Sequence, residues 1–276
     1  MNIKFCIRRI VSLIILILLS INLRSQNNNN LNGFIPEVGQ KGKDVVWVPS
    51  PPELISAMFS MAKLTPDDYV IDLGSGDGRV VIFAAKIGAH ALGIEYNDDL
   101  VALSVRNAQK EGVSNAEFIE GDLYKCDLSK ATVITMFLLP DINKKLRPKL
   151  LELNPGTRIV SSTFTMGDWI PDKEVKTEEN PNGWNTAYLW IVPAKVEGAW
   201  KIGSDILTIK QSYQVIHGSL NSEGRTSSIS HGKLTGSGIT FRIGKYLYAG
   251  EVNGEKMIGT KDSEGEKSDW VAERMH

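Results

Sequence analysis

Eight consecutive residues, Asp72-Leu73-Gly74-Ser75-Gly76-Asp77-Gly78-Arg79, place three glycines and two carboxylates in one turn. Glycine tolerates sharp left-handed turns and lets a ligand approach backbone N–H groups closely. The spacing, G-x-G-x-G, differs from the G-x-G-x-x-G that cradles a dinucleotide pyrophosphate, and no Gly-Lys-Ser/Thr follows to make a P-loop. Asp72 and Asp77 would repel a pyrophosphate and suit a cationic ligand without phosphate. Two further acidic positions follow, Glu95 and Asp122. Glu95 ends an apolar stretch, where doubly wound sheets bind ribose hydroxyls. Asp122 could accept from the amino group of an adenine, with the Leu123 backbone beside it. A single acidic loop residue is ordinary, but three at the ends of successive strands, on one rim, describe a ligand site.

The elements that would carry these residues alternate. Apolar runs predict strands over 69–73, 91–95, 117–120, 132–139, 157–165 and 186–192, and helices over 53–64, 80–87, 98–111 and 142–153. Pro51 and Pro52 suit a helix start, Gly88 a helix end, and Asn97 a helix cap. Such alternation implies βαβ units, hence an α/β fold: a Rossmann-like, doubly wound, mostly parallel sheet with helices on both faces. After Pro193 the pattern changes to short apolar alternations at 207–209, 213–216, 239–243, 246–252 and 257–258, broken by Gly, Asn, Ser and Asp. Asn253-Gly254 is a two-residue hairpin signal. This part reads as a C-terminal all-β meander or small barrel of about six to eight strands.

The loop and its partners resemble the class I S-adenosylmethionine-dependent methyltransferases over about residues 45–193. Asp72 to Gly78 looks like their first motif, Gly93-Ile94-Glu95 like their ribose-binding strand end, and Gly121-Asp122-Leu123 like their adenine-contact turn. The resemblance is closer to the group holding the mitochondrial lysine methyltransferases of the ATP synthase c subunit and the adenine nucleotide translocator. Trp47-Val48-Pro49, Leu138-Leu139-Pro140, Leu146-Arg147-Pro148, the segment 156–162 and Asp168-Trp169 carry it. It implies S-adenosyl-L-methionine as cofactor, held by Asp72, Gly74, Ser75, Gly76, Asp77, Gly78, Glu95, Asp122 and Leu123. It also implies transfer of a methyl group to a protein lysine amine or another small nucleophile. The likeness stops at Pro193.

Methyl transfer is an in-line displacement that positioning and desolvation can accelerate, so it requires no strong acid–base pair. Nucleobase amino-methylation commonly shows Asn/Asp-Pro-Pro-Tyr/Phe after the fourth strand. Here that place reads Met136-Phe137-Leu138-Leu139-Pro140-Asp141, and nucleic acid is not expected as acceptor. No catalytic residue is assigned. Asp141 could assist the amine or cap a helix, and Trp47 and Trp169 could wall the acceptor site or simply pack. His90, His217 and His231 have no ligand spacing, so no metal is expected.

The whole chain has 276 residues, 42% hydrophobic and 23% charged, with a formal net charge of -1. No global field draws polyanions. Lys4, Arg8 and Arg9 precede an apolar run over 10–21, short of the roughly 20 residues a bilayer span needs. That pattern reads as a signal peptide over 1–25, or an anchor over 10–23 if uncleaved, placing the protein outside the cytoplasm or against a membrane. Residues 26–44 read as a polar linker, 45–194 as the cofactor-binding domain and 195–276 as the β domain. Cys126 stands alone after that segment and cannot form an intramolecular bridge. Two rival readings stay open: an exported S-adenosylmethionine-binding protein without turnover, whose β domain binds a partner or lipid, and a nucleotide-dependent oxidoreductase.

Overall fold

A computed structural model of the chain describes residues 34–42, 46–178 and 183–276. The signal or anchor segment and most of the linker lie outside the described residues.

Seven strands form the first sheet: β1 (Tyr69–Leu73), β2 (His90–Glu95), β3 (Ala116–Glu120), β4 (Val133–Met136), β5 (Arg158–Ser162), β6 (Lys173–Lys176) and β7 (Thr186–Ile191). Their order is β3-β2-β1-β4-β5-β7-β6. The first five run parallel, and β7 lies antiparallel between β5 and β6. The chain reverses direction of travel at β1, so the C-terminal ends of β1 and β4 flank a crevice. Successive residues of β1 feed opposite cores, which is why these strands read as continuous apolar runs. Val70 packs with Leu54, Met58 and Phe59 of helix α1 (Pro52–Ala62) and Val81 of α2 (Arg79–Ile87). Ile71 packs on the other face with Leu146 and Leu150. Asn97 caps α3 (Asp98–Lys110), accepting from the N–H groups of Asp99 and Leu100.

The second face is unevenly covered. Leu146 and Leu150 lie on α4 (Pro140–Leu150), but no helix joins β5 to β6. Segment 163–172 runs there instead, burying Met166 and Trp169 beside Trp190 of β7.

Beyond it stands a closed antiparallel barrel of eight strands. These are β8 (Gly198–Ile202), β9 (Asp205–Ser212), β10 (Val215–Ser222), β11 (Arg225–Thr235), β12 (Gly238–Ile243), β13 (Tyr246–Asn253), β14 (Lys256–Ser263) and β15 (Glu266–Arg274). Each strand pairs with the next, and β15 closes on β8 through Glu273↔Lys201 and Arg274↔Trp200. All seven connections are two-residue turns. The expected hairpin falls one residue later than the sequence suggests: Asn253 ends β13, and Gly254 (φ 58) with Glu255 makes the turn. Tyr213, expected in a strand, is instead a turn residue with φ 55. The interior is filled by side chains, with Phe241, Tyr248 and Trp270 packed at ring-centroid separations of 4.8 to 5.8 Å.

Closing so narrow a barrel brings strands within backbone contact. A Cβ on Gly259 would lie 2.0 Å from the Ala249 carbonyl oxygen and 2.5 Å from the Gly250 Cα. Backbone cannot step aside as a flexible side chain can, so Gly259→Ala is expected to cost about 3 kcal/mol or more. Urea unfolding followed by Trp fluorescence checks this.

Candidate functional site

The ends of β1 to β5 open into one cavity of about 470 Å³. Its floor is the glycine loop between β1 and α2. Gly74, Gly76 and Gly78 have φ of 78, 56 and 81, conformations other residues adopt only with strain. The N–H groups of Gly74 and Ser75 donate to the Ile94 carbonyl, tying the loop to β2. Ser104 and Asn107 of α3 donate to the carbonyls of Gly76 and Asp77. The loop is therefore fixed from behind.

The acidic residues differ in state. Asp72 is 4% exposed and accepts from Thr135 Oγ1 at 2.7 Å. Burial, opposed by the Thr135 bond and aided by the charges of Glu95 and Asp77, raises its carboxyl to about 7. Glu95 is held by three backbone donors: Gly76 N at 2.9 Å on one oxygen, Tyr96 N and Asn97 N at 2.9 and 3.0 Å on the other. Asp122 accepts from Tyr124 N at 3.0 Å and faces Lys125 at 3.5 Å. Asp77 is paired side-on with Arg79, Nε to Oδ1 at 2.9 Å and Nη2 to Oδ2 at 2.6 Å. Its charge is thus answered within the loop.

Asp72, Gly74, Ser75, Gly76, Asp77, Glu95, Asp122 and Leu123 all line the cavity. Gly78 does not. A Cβ there would meet Phe118 and Ser104 at 2.8 Å, so it serves close packing of α2 against the sheet and α3. Trp47 lines the cavity over the loop, its Nε1 2.7 Å from where a Gly76 Cβ would stand. Trp169 is 0% exposed in the second core and walls nothing. Asp141 is not a helix cap either: α4 begins after Leu139, and the Asp141 side chain is 97% exposed beside Lys144.

Sequence reasoning reached the apolar run around Phe137 but passed over the aromatic residues that complete this wall of the cavity. Phe137 follows β4, Phe164 follows β5 and Trp184 precedes β7, and Phe137 touches both of the others. Phe137 stacks on Phe164 at 6.1 Å and meets Trp184 edge-on at 5.7 Å. Aromatic residues just outside adjacent strand ends were the available signal. Among the described residues no cluster of His, Cys, Asp and Glu could hold a metal.

A doubly wound sheet with an acidic-rimmed glycine loop and an aromatic wall defines a nucleoside-type cofactor site facing an acceptor site. Known proteins agree with that class. The family model of the ANTKMT methyltransferase domain matches residues 72–173. A protein-lysine N-methyltransferase of Saccharolobus islandicus is 42% identical over 152 residues, covering 54% of this chain and 94% of that protein. The rat lysine N-methyltransferase of the ATP synthase c subunit is 40% identical over 105 residues, 37% of this chain. The chain spans only 49% of that rat relative's length. A solved RNA methyltransferase from Salinibacter ruber, in complex with S-adenosyl-L-homocysteine, is 45% identical with a TM-score of 0.51, covering 54% of this chain and 96% of that one. The chain belongs to the S-adenosylmethionine-dependent methyltransferases, in the family of that Saccharolobus protein. None of these matches extends over more than 54% of the chain.

Proposed function

We propose that this methyltransferase modifies the side-chain amine of a protein lysine, with its cofactor held by the residues of the glycine loop and rim. The observation that carries the acceptor is the wall of Phe137, Phe164 and Trp184 set against the cofactor cavity. Aromatic faces attract an ammonium and a methylated ammonium, and they strip water from an amine about to attack. An apolar wall also offers few groups that could read a nucleobase edge.

The chain's own residues fit S-adenosylmethionine on structural grounds. Asp72 is a buried carboxyl whose ionised form a ligand cation would stabilise. Ser75 lines the cavity while its Oγ is buried against Gly93 of β2, which keeps the backbone of the loop close to the strand. Glu95, already oriented by three backbone N–H groups, has lone pairs left for a vicinal diol. Asp122 and the Leu123 backbone would take the adenine edge. The cofactor, when bound, supplies a sulfonium methyl carbon to in-line attack. The protein orients the two reactants and excludes water, and no side chain is assigned as a base. Glu95→Ala is expected to weaken S-adenosylhomocysteine binding about a hundredfold in calorimetry, through loss of charge-assisted hydrogen bonds.

The test of the acceptor is transfer of labelled methyl from S-adenosylmethionine into a cell-envelope extract. Label is expected in protein, and in methyl-lysine after acid hydrolysis. Label in RNA, as the Salinibacter relative's activity would give, or no label, would sink the reading. We also propose export through residues 1–25, supported by their basic start and short apolar run. Among the described residues no helix is long and apolar enough to cross a membrane. N-terminal sequencing of the protein from cells tests the cleavage.

A further inference from the structure

The family match ends at residue 173, ahead of the barrel, yet one of the barrel's turns enters the methyltransferase core. Six of its seven two-residue turns contain glycine; the turn between β9 and β10, Tyr213-Gln214, contains none. Tyr213 nevertheless holds φ 55, a conformation costly for a bulky residue. What the two side chains touch accounts for their presence. The Tyr213 ring stacks on Trp169 at 5.7 Å with planes 13° apart, and its hydroxyl donates to Asp168 Oδ2 at 3.0 Å. Gln214, 7% exposed, accepts from Trp169 Nε1 at 2.9 Å and donates to the Ile170 carbonyl at 2.7 Å.

Trp169 and Ile170 belong to the helix-free segment 163–172, which also carries Phe164 into the acceptor wall. The other end of that segment is held by the sheet domain. Ser161 Oγ and Asn143 Nδ2 donate to the Phe164 carbonyl, and Arg147 donates to the carbonyl of Met166. Met166 and Trp169 are bridged across a tight turn at Gly167 (φ 75). The segment is thus clamped between α4 and the barrel's turn. Lys233 of β11 adds a second tie, 3.4 Å from the buried Asp172.

We propose that the barrel completes the acceptor half of the active site: Tyr213 and Gln214 are positioning residues that hold segment 163–172, and through it Phe164, against the bound acceptor. This rests on the reading of Phe137, Phe164 and Trp184 as the acceptor wall. It gives the barrel a role in acceptor recognition, separate from cofactor binding, which the glycine loop and β2 perform without touching the turn.

The test uses the full chain with Tyr213→Gly and Gln214→Ala. Glycine suits the backbone of this turn, so Tyr213→Gly leaves the barrel's folding intact while removing the stack. Hydrogen exchange of amides 163–172 is expected to rise about tenfold or more in both variants, with amides 74–78 unchanged. Calorimetric affinity for S-adenosylhomocysteine is expected to stay within about twofold. With envelope-extract protein as acceptor, KM is expected to rise about tenfold with little change in kcat. Unchanged exchange over 163–172, or cofactor affinity falling as far as KM rises, overturns the proposal. If the unmodified chain labels no protein, the lysine reading fails, and the exchange and calorimetry arms still decide whether the turn clamps this segment.

Discussion

Binding of S-adenosylhomocysteine is expected to tighten as pH rises from 5 to 7, by up to tenfold per pH unit, and to lose this dependence in Asp72→Asn. The cause is the position of the carboxyl. Burial raises Asp72 from 3.8 to about 7, so below neutrality the empty site holds it protonated. An α-ammonium placed against it favours the carboxylate, and binding then releases a proton. Removing protons from solution therefore favours the complex until Asp72 is already ionised, above about pH 7. Asp72→Asn keeps the shape and the acceptor toward Thr135 but never ionises. Its affinity should be about a hundredfold lower at pH 8 and flat from 5 to 8.

Stability of the empty protein should move the other way. A carboxyl whose folded value lies above its unfolded one binds more protons when native between about pH 4 and 7, so stability falls as pH rises through that window. The displacement from 3.8 to about 7 corresponds to about 4 kcal/mol. Asp72→Asn should thus raise the melting temperature at pH 8 while abolishing tight binding. Stability traded for a charged site is the signature of a binding group. A variant that binds normally at pH 8, or gains no stability there, would remove Asp72 from the site.

Which features were legible in the sequence follows from how local their causes are. The glycine loop and Glu95 were legible because a turn after an apolar strand needs only neighbouring residues to be recognised. The barrel was visible through its punctuation: Gly224, Gly236, Gly244, Gly254 and Gly265 mark turns, whereas Gly218, Gly232, Gly250 and Gly259, which recur at similar intervals, lie within strands. Strand β6 escaped because Lys173-Glu174-Val175-Lys176 lies at a sheet edge and buries almost nothing. Strand β11 escaped because its register shifts between Ser230 and Lys233, which breaks the alternation between Ile229 and Leu234. The Tyr213-Gln214 turn was misread as strand for the same reason that it matters. Its residues were set by Trp169, 44 positions away from Tyr213 in the chain, and not by the local needs of a turn. The aromatic wall is likewise built from three separate strand ends, and nothing local joins them.

Trp169 is the residue on which those distant demands meet, and Trp169→Ala is expected to cost about 3–5 kcal/mol, the toll for truncating a fully buried indole. More than volume is lost. Gln214 Oε1 would be left buried without its donor, and Tyr213 without its stacking face. Trp190 Nε1 would keep the residue 169 carbonyl, so β7 itself should stay in place. The damage should therefore fall on the contact between sheet and barrel, along with segment 163–172. Calorimetric melting is expected to show the sheet domain unfolding about 10 °C earlier, with the barrel separating as its own later transition. Trp270→Ala, whose indole lies wholly among barrel residues, should do the reverse and lower the barrel transition alone. If both variants instead lower a single shared transition equally, sheet and barrel fold as one cooperative unit, and Trp169 is an ordinary core residue with no special part in joining them.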